Sequence, residues 1–197
     1  MEKLAYTRHY IDILEHELGL NIVIYDECRL LSQTPLTTLP QIGKWHTNPY
    51  CLKIKENDRL RARCVYLKQA FINRVLQGNG VVKSTCFCGV TEYALPIQYD
   101  GRLVCLISAI GYLGQISERM ITLLSQRIGL GRDQLLSLRQ SALLKTDREE
   151  VVIHAVELLG YLLGRFIIEE TKIPTLLDTA RREGNDHVFK AMAYITQ

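Results

Sequence analysis

Four cysteines in the first half of the chain could bind a metal ion or react with one another. They are Cys51, Cys64, Cys86 and Cys88. Four thiolates that converge in space can hold zinc or an iron–sulfur cluster. The spacing of these four lacks the paired C-x2-C segments that make such a prediction specific. We therefore favour packing, in which free cysteine acts as a small apolar side chain. A metal site and a redox-active Cys86/Cys88 pair remain as alternatives.

A second group of candidate residues surrounds a predicted β-hairpin between residues 85 and 115. Glu92 lies on its first strand, where a carboxylate could accept hydrogen bonds from the hydroxyl groups of a small ligand. An exposed glutamate on an edge strand is the alternative. The other candidates are aromatic residues with polar tips and residues at the ends of the hairpin: Trp45, Tyr50, Tyr112, Cys86, Cys88, Gly89 and Gln115. Polar groups at the mouth of an apolar sheet are typical of a small-ligand pocket.

The hairpin itself is predicted by two apolar segments that flank Asp100-Gly101. Asp-Gly readily supplies the positive φ angles of a tight turn. The first strand, 91–98, alternates between its two faces, and the second, 103–110, is apolar on both faces and therefore central in its sheet. Pro96 cannot donate a ladder hydrogen bond, so it places the first strand at an edge or beside a bulge.

Helical periodicity predicts five helices around this hairpin. The segments with apolar residues at helical spacing are 2–18, 57–77, 117–128, 133–143 and 151–170. The last has a broad apolar stripe, which suits burial against a sheet or a second subunit. That stripe consists of Val152, Val156, Leu159, Leu163 and Phe166. We expect this helix to transmit a signal and to contribute to a homodimer.

Three shorter strands complete the predicted sheet. Two of them, 20–25 and 28–31, would pair around a short turn, and the third, 81–85, leads into the cysteine-containing turn. Segment 34–49 contains three prolines and is interpreted as a long binding loop. These elements together predict an α+β fold, with an antiparallel sheet flanked by helices and a long C-terminal helix.

The composition indicates a globular protein of the cytoplasm. The chain has 197 residues, of which 47% are hydrophobic and 23% charged, enough for one good core. The N-terminus lacks the pattern of a signal peptide. The longest apolar run, 103–110, is far shorter than the roughly 20 residues that span a bilayer, so we expect no membrane segment. In the cytoplasm the six cysteines are expected to stay reduced.

Basic residues are concentrated in segment 53–74, which carries seven Lys or Arg and two acidic residues, while the whole chain has a net charge of +3. A basic helix can contact nucleic acid. We favour a solvated face, because aromatic residues are not interleaved for stacking. The sequence also lacks a nucleophile elbow, a phosphate loop and an H-E-x-x-H motif, so we expect no enzymatic activity.

Several segments resemble, in their order and spacing, the PocR-type sensory domain of bacterial transcription regulators. They are Asn48-Pro49-Tyr50-Cys51, Arg63-Cys64, Cys86-Phe87-Cys88-Gly89, 92–97, Asp100-Gly101 and 111–115. The resemblance covers about residues 4–170. The family turn often reads Cys-His-Ala-Gly, whereas this chain has Phe87 and Cys88 in the middle positions. Any role that needs that histidine does not carry over.

The resemblance implies a PAS-like fold that binds a small hydrocarbon derivative such as a short diol, polyol or alcohol. It divides the chain into a sensory domain over 1–172, a linker over 173–185 and the start of an AraC-type helix-turn-helix region over 186–197. Binding to DNA would then belong to the rest of that region and not to this fragment.

We therefore predict a ligand-sensing domain of a transcription regulator that needs no cofactor. A bound ligand would shift the population between two packings of the sheet against the long helix. A homodimer would match the paired half-sites that such regulators read. Two alternatives remain: a metal- or redox-sensing domain that uses the cysteines, with zinc or an iron–sulfur cluster as cofactor, and an interaction module whose basic helix binds acidic partners.

Overall fold

The computed structural model describes residues 2–17, 19–26, 29–31, 34–42, 48–78, 80–145, 148–173, 175 and 178. Within that part of the chain the α-helices are α1 (Glu2–His16), α2 (Pro49–Lys55), α3 (Asp58–Leu76), α4 (Glu118–Ile128), α5 (Arg132–Ala142) and α6 (Glu149–Glu170), and Pro35–Thr38 forms a short 3-10 helix. The strands are β1 (Asn21–Tyr25), β2 (Val82–Thr85), β3 (Val90–Tyr99) and β4 (Arg102–Leu113). The predicted α+β class, with a long C-terminal helix, is confirmed.

The four strands form one antiparallel sheet in the order β1–β4–β3–β2. β3 and β4 form the predicted hairpin, and its turn residues Asp100 and Gly101 have φ angles of 48° and 73°. β4 lies between β1 and β3, as its apolar character on both faces predicts. β2 pairs with β3 only as far as Ala94, so Pro96 lies on a stretch of β3 beyond the end of β2. A register shift follows between Ile97 and Gln98.

The predicted pairing of strands 20–25 and 28–31 is wrong. β1 pairs with β4 along its whole length, and described residues 29–31 are not in a strand. The apolar Leu30 and Leu31 are buried in the core under α1 and α6. A short apolar run therefore marked burial correctly but not strand pairing, because periodicity over four residues cannot separate a strand from a buried loop.

Helices cover both faces of the sheet. α6 and α1 pack on one face, and α3 packs on the other. The two faces follow from the alternation along β3: Tyr93 and Ile97 are buried beneath α6, and Ala94 is buried beneath α3. α2, α4 and α5 surround a separate apolar cluster at the end of the sheet where the cysteine-containing turn lies.

The broad apolar stripe of α6 is buried against its own sheet, where all five predicted stripe residues lie in the core. The helix lies close to β3, because a Cβ added at Gly160 would overlap the side chain of Leu95. By length and composition alone α6 could also cross a membrane, a test that core helices of soluble proteins pass as well, and 44% of its apolar window is buried inside the protein.

Candidate functional site

A cavity of about 270 Å³ lies between α3 and the sheet. Its apolar wall is formed by residues of α3, β3 and β4 and of the turn that follows β2: Leu67, Phe71, Phe87, Val90 and Ile110. Its polar wall includes thiol, hydroxyl and charged groups: Cys64, Lys68, Arg74, Ser84, Thr85, Cys86 and Glu92. Concave sites that combine a mostly apolar lining with a few polar groups are where proteins bind small molecules.

A buried ion pair crosses this cavity between α3 and β3. Lys68 Nζ lies 2.5 Å from Glu92 Oε1, and the two side chains are 7% and 10% exposed. The ammonium group also lies over the rings of Tyr25 and Phe71, 3.9 and 4.9 Å from their centroids. Burial of two charges is tolerated when each is paired and further stabilised by its surroundings. The pair therefore places a strong donor and a strong acceptor side by side in the polar wall of the cavity.

The turn Cys86–Gly89 forms one end of the cavity and is held in shape by hydrogen bonds. Gly89 N donates to Cys86 O at 2.9 Å, and Gly89 adopts a φ of 73°, which favours glycine. The buried guanidinium of Arg139 donates to the carbonyl oxygens of Gly89 and Gly114. Arg139 on α5 thereby holds the turn against the segment that follows β4.

Helix α2 supports the same turn from the other side. Asn48 caps the helix by accepting a hydrogen bond from Tyr50 N at 2.9 Å, and Pro49 occupies its first position. Tyr50, completely buried, then donates its hydroxyl hydrogen to Cys88 O at 2.9 Å. Loss of solvent raises the pKa of Tyr50. The phenol is therefore a structural hydrogen-bond donor to the turn.

The family comparison agrees with this architecture. A family model described as "Sensory domain found in PocR" matches residues 6–172. The chain belongs to the PocR sensory-domain family. No curated protein and no solved structure matches it. The resemblance inferred from the order of motifs is confirmed, and the role of this PocR domain as a sensory module follows from the family.

Two of the predicted ligand residues, Cys86 and Glu92, line the cavity of this PocR domain. The turn at the end of the cavity contains Cys88 and Gly89, and Tyr50 supports that turn through its hydrogen bond to Cys88 O. Gln115 is exposed. The prediction for Trp45 falls outside the described residues.

Tyr112 lies on the opposite face of the sheet, in the core beneath α6. Its ring packs edge-on against Tyr93, with centroids 5.4 Å apart. A register shift between Thr91 and Glu92 leaves Gly111 as an extra residue on β4, with a φ of 99°. Such a bulge reverses which face the following residues point to. Tyr112 therefore points away from the cavity that Ile110 lines.

The four cysteines of the metal alternative lie around the cavity end of this PocR domain. Cys64 and Cys86 line the cavity, whereas Cys51 and Cys88 are buried in the cluster beside it. Burial raises the pKa of Cys51 to about 12 and also raises that of Cys64. Among the described residues, no three or more His, Cys, Asp or Glu side chains are placed to hold a metal ion. The arrangement therefore gives the metal alternative no support.

Cys86 differs from the other thiols in its hydrogen bonding. Its sulfur accepts from the thiol of Cys88 and from the backbone N–H groups of Val90 and Cys88, and these bonds outweigh burial and lower its pKa to about 7. The hydrogen bond to Cys86, together with burial, raises the pKa of Cys88. One thiol of the pair is thus stabilised as the thiolate while its neighbour stays protonated.

Sequence reasoning missed Lys68, Arg74 and Arg139. The basic residues of α3 were interpreted as a solvated face, and that interpretation is wrong for Lys68, which is buried. A usable signal existed, because Lys68 lies four residues after Cys64 and three before Phe71, at the border of the apolar stripe. Arg74 donates to Ser84 Oγ at 2.5 Å across the cavity mouth. No sequence pattern marked Arg139, whose partners are far away in the chain.

Proposed function

We propose that this PocR domain senses a small amphiphilic molecule with hydroxyl groups, bound in the cavity between α3 and the sheet. The buried Lys68–Glu92 pair in the polar wall, in a cavity that also has an apolar wall, is the observation that supports this proposal. A hydroxyl group both donates and accepts, so it can donate to the carboxylate and accept from the ammonium group. Sites built for hydroxyl groups discriminate against analogues that lack them, because their buried polar groups are then left unpaired.

The size of the cavity supports a small ligand. Pockets for drug-sized molecules have volumes of roughly 300–1,000 Å³. The present volume of about 270 Å³ lies just below that range. Short diols, polyols and alcohols are accordingly the class that we propose.

The sheet gives the signal a direct route to the other face of the domain. Glu92 and Ala94 of β3 face α3, whereas the alternate residues Tyr93 and Leu95 face α6. A ligand that binds one arrangement of α3 and β3 more tightly shifts the population toward it, and α6 responds through its contact with β3. We propose that α6 passes this change to a DNA-binding region of AraC type in a cytoplasmic regulator.

Filling the cavity is expected to abolish ligand-induced stabilisation. Ala70 lines the exposed edge of the cavity, and Ala62 is also exposed on the same helix but does not line it. Ala70→Phe should therefore block binding, while Ala62→Phe should not. The measurement is the melting temperature of the wild type and both variants with propylene glycol, glycerol, ethylene glycol and n-propanol, because a ligand specific for the folded state raises it by mass action. Equal shifts in Ala70→Phe and wild type would place binding elsewhere.

The homodimer that we propose uses a different face of α6 from the predicted one. The predicted stripe is buried inside the protomer, but a second stripe with heptad spacing is exposed along the outer side of the helix. It consists of Val151, His154, Leu158, Tyr161, Arg165 and Ile168. Leu158 and Tyr161 at its centre are 47% and 61% exposed.

A second copy of the chain fits this stripe. Glu157 and Arg165 lie four residues on either side of Tyr161. Two antiparallel copies that cross at Tyr161 would set the acidic residue of one helix against the basic residue of the other. Heptad spacing on both helices would let the apolar residues interdigitate along the contact.

The double variant Leu158→Glu/Tyr161→Glu is expected to be monomeric. Aromatic residues at the centre of an interface typically contribute about 2 kcal/mol or more, so dimerisation should weaken at least about thirtyfold. Tyr66→Glu on α3 is the matched control, because Tyr66 is 75% exposed and far from the stripe in sequence. Sedimentation velocity over a range of concentrations gives the dissociation constants. A monomeric wild type, or one that pellets with lipid vesicles through this stripe, would contradict the proposal.

A further inference from the structure

Cys86 has the surroundings of a reactive thiol inside the cavity. Its sulfur accepts hydrogen bonds from one thiol and two backbone N–H groups, all within the turn Cys86–Gly89 and the first residue of β3. Convergent donors stabilise a thiolate, and the thiolate is the nucleophilic form of cysteine. The side chain also lines the cavity and is only partly buried, so a small reagent can reach it from there.

A second thiol, that of Cys88, belongs to the same turn as Cys86. The two residues are separated by one position within the same turn, which the hydrogen bond from Gly89 N to Cys86 O closes at 2.9 Å. Disulfides join Cα atoms that are roughly 4.4–6.8 Å apart. Two residues separated by one other are at most about 7 Å apart even in an extended chain, and closer in a turn. The turn therefore brings the pair within reach of a disulfide.

We propose that Cys86 is a peroxide-reactive site within the sensing cavity and that Cys88 is its resolving thiol. The Cys86 thiolate attacks the terminal oxygen of a small hydroperoxide; an S–O bond forms, the O–O bond breaks, and the alcohol (water from hydrogen peroxide) leaves with a proton from solvent. The Cys88 thiol then displaces hydroxide from the sulfenic acid, and its proton leaves with that hydroxide as water. Overall two thiols lose two electrons to the peroxide and form one disulfide.

The polar wall suits this class of co-reactant. A hydroperoxide carries a hydroxyl group and an adjacent oxygen acceptor, the same functions that the Lys68–Glu92 pair can bind. Oxidation would join the two side chains of the turn on which Arg139 and Tyr50 converge. The sensory domain would thereby register an oxidant through the same wall of the cavity, and this reaction needs no organic ligand.

Mass spectrometry after a single equivalent of hydrogen peroxide tests the proposal on the reduced chain. We expect a Cys86–Cys88 disulfide in the wild type and in Cys64→Ser. In Cys88→Ser we expect a sulfenic acid at Cys86 that dimedone traps. A disulfide between Cys64 and Cys86, or oxidation that begins at another cysteine, would overturn the assignment.

Alkylation of the wild type by iodoacetamide gives an independent readout that needs no variant to fold. With a pKa of about 7, Cys86 should be labelled roughly tenfold faster than Cys64 near neutral pH, since the thiolate fraction outweighs the accompanying loss of nucleophilicity. Its labelling rate should rise through that pH and level off above it. Equal rates for Cys64 and Cys86, or a metal ion that copurifies with the thiols, would contradict the proposal.

Discussion

Lys68→Met is expected to lower the free energy of unfolding by about 3–5 kcal/mol, because it leaves a buried carboxylate without its partner. Met keeps most of the aliphatic length of Lys68 but removes the ammonium group that lies 2.5 Å from Glu92. It also removes the attraction between that group and the ring of Tyr25. Urea unfolding of both proteins at neutral pH measures the difference.

The double variant Lys68→Met/Glu92→Leu distinguishes the effect of losing the whole ion pair from the effect of losing one of its two charges. Replacing both charges by apolar groups of similar size removes the uncompensated carboxylate, so most of the lost stability should return. The exposed pair Arg132–Glu118, with side chains 53% and 73% exposed, is the matched control. There Arg132→Met should leave the urea midpoint almost unchanged, because an exposed ion pair is screened by solvent. A similarly small effect of Lys68→Met would show that solvent reaches Glu92 freely.

The same pair connects stability with the proposed ligand. A ligand hydroxyl group that binds to Glu92 in Lys68→Met would partly satisfy the buried carboxylate. That hydrogen bond remains possible, but the ammonium donor is gone, so the variant should bind alcohols more weakly than the wild type. By mass action they should then raise its melting temperature less. Ala70→Phe, by contrast, should lose binding while keeping the ion pair intact. The two variants thus distinguish how much ligand binding depends on the charged groups of the cavity from how much it depends on the volume of the cavity.

Local patterns were sufficient for the elements that hold the site. The Asp100-Gly101 turn, the alternation of β3 and the doubly apolar β4 predicted the hairpin, because turn geometry and the period of two are properties of neighbouring residues. Helix α3 was predicted from its four-residue and three-residue repeats within one residue of its observed ends. Ser117 caps α4 as expected, accepting a hydrogen bond from Met120 N.

Contacts between distant segments were not predictable in this way. Glu92 could be interpreted as exposed or as ligand-binding, and only the approach of Lys68 from α3 explains its burial. The bulge at Gly111 moved Tyr112 to the other face, and a glycine alone does not specify a bulge. Arg139 reaches the cysteine-containing turn from α5, fifty positions further along the chain. Each of these depends on tertiary packing, which a single sequence encodes only indirectly.

The second large effect is expected at Gly89. Gly89→Ala should lower the free energy of unfolding by roughly 2–5 kcal/mol, the sum of about 1–2 for a side chain at positive φ and about 1–3 for overpacking. Gly89 has a φ of 73°, and an added Cβ would lie 2.9 Å from Ile116 Cβ and 2.8 Å from the guanidinium of Arg139. A β-carbon cannot swing aside as a flexible chain end would, and Arg139 is held by its own hydrogen bonds.

Gly101→Ala is the matched control, because Gly101 has the same φ of 73° but no atom within 4 Å of an added Cβ. It should cost only the backbone component, about 1–2 kcal/mol. The difference between the two variants in urea unfolding then measures packing around the cysteine-containing turn. Equal losses would mean that Ile116 and Arg139 move aside freely. If they are instead held in place, Gly89→Ala should also change the alkylation rate of Cys86, since the two backbone donors to its sulfur, Cys88 N and Val90 N, lie on either side of Gly89. Gly101→Ala should leave that rate unchanged.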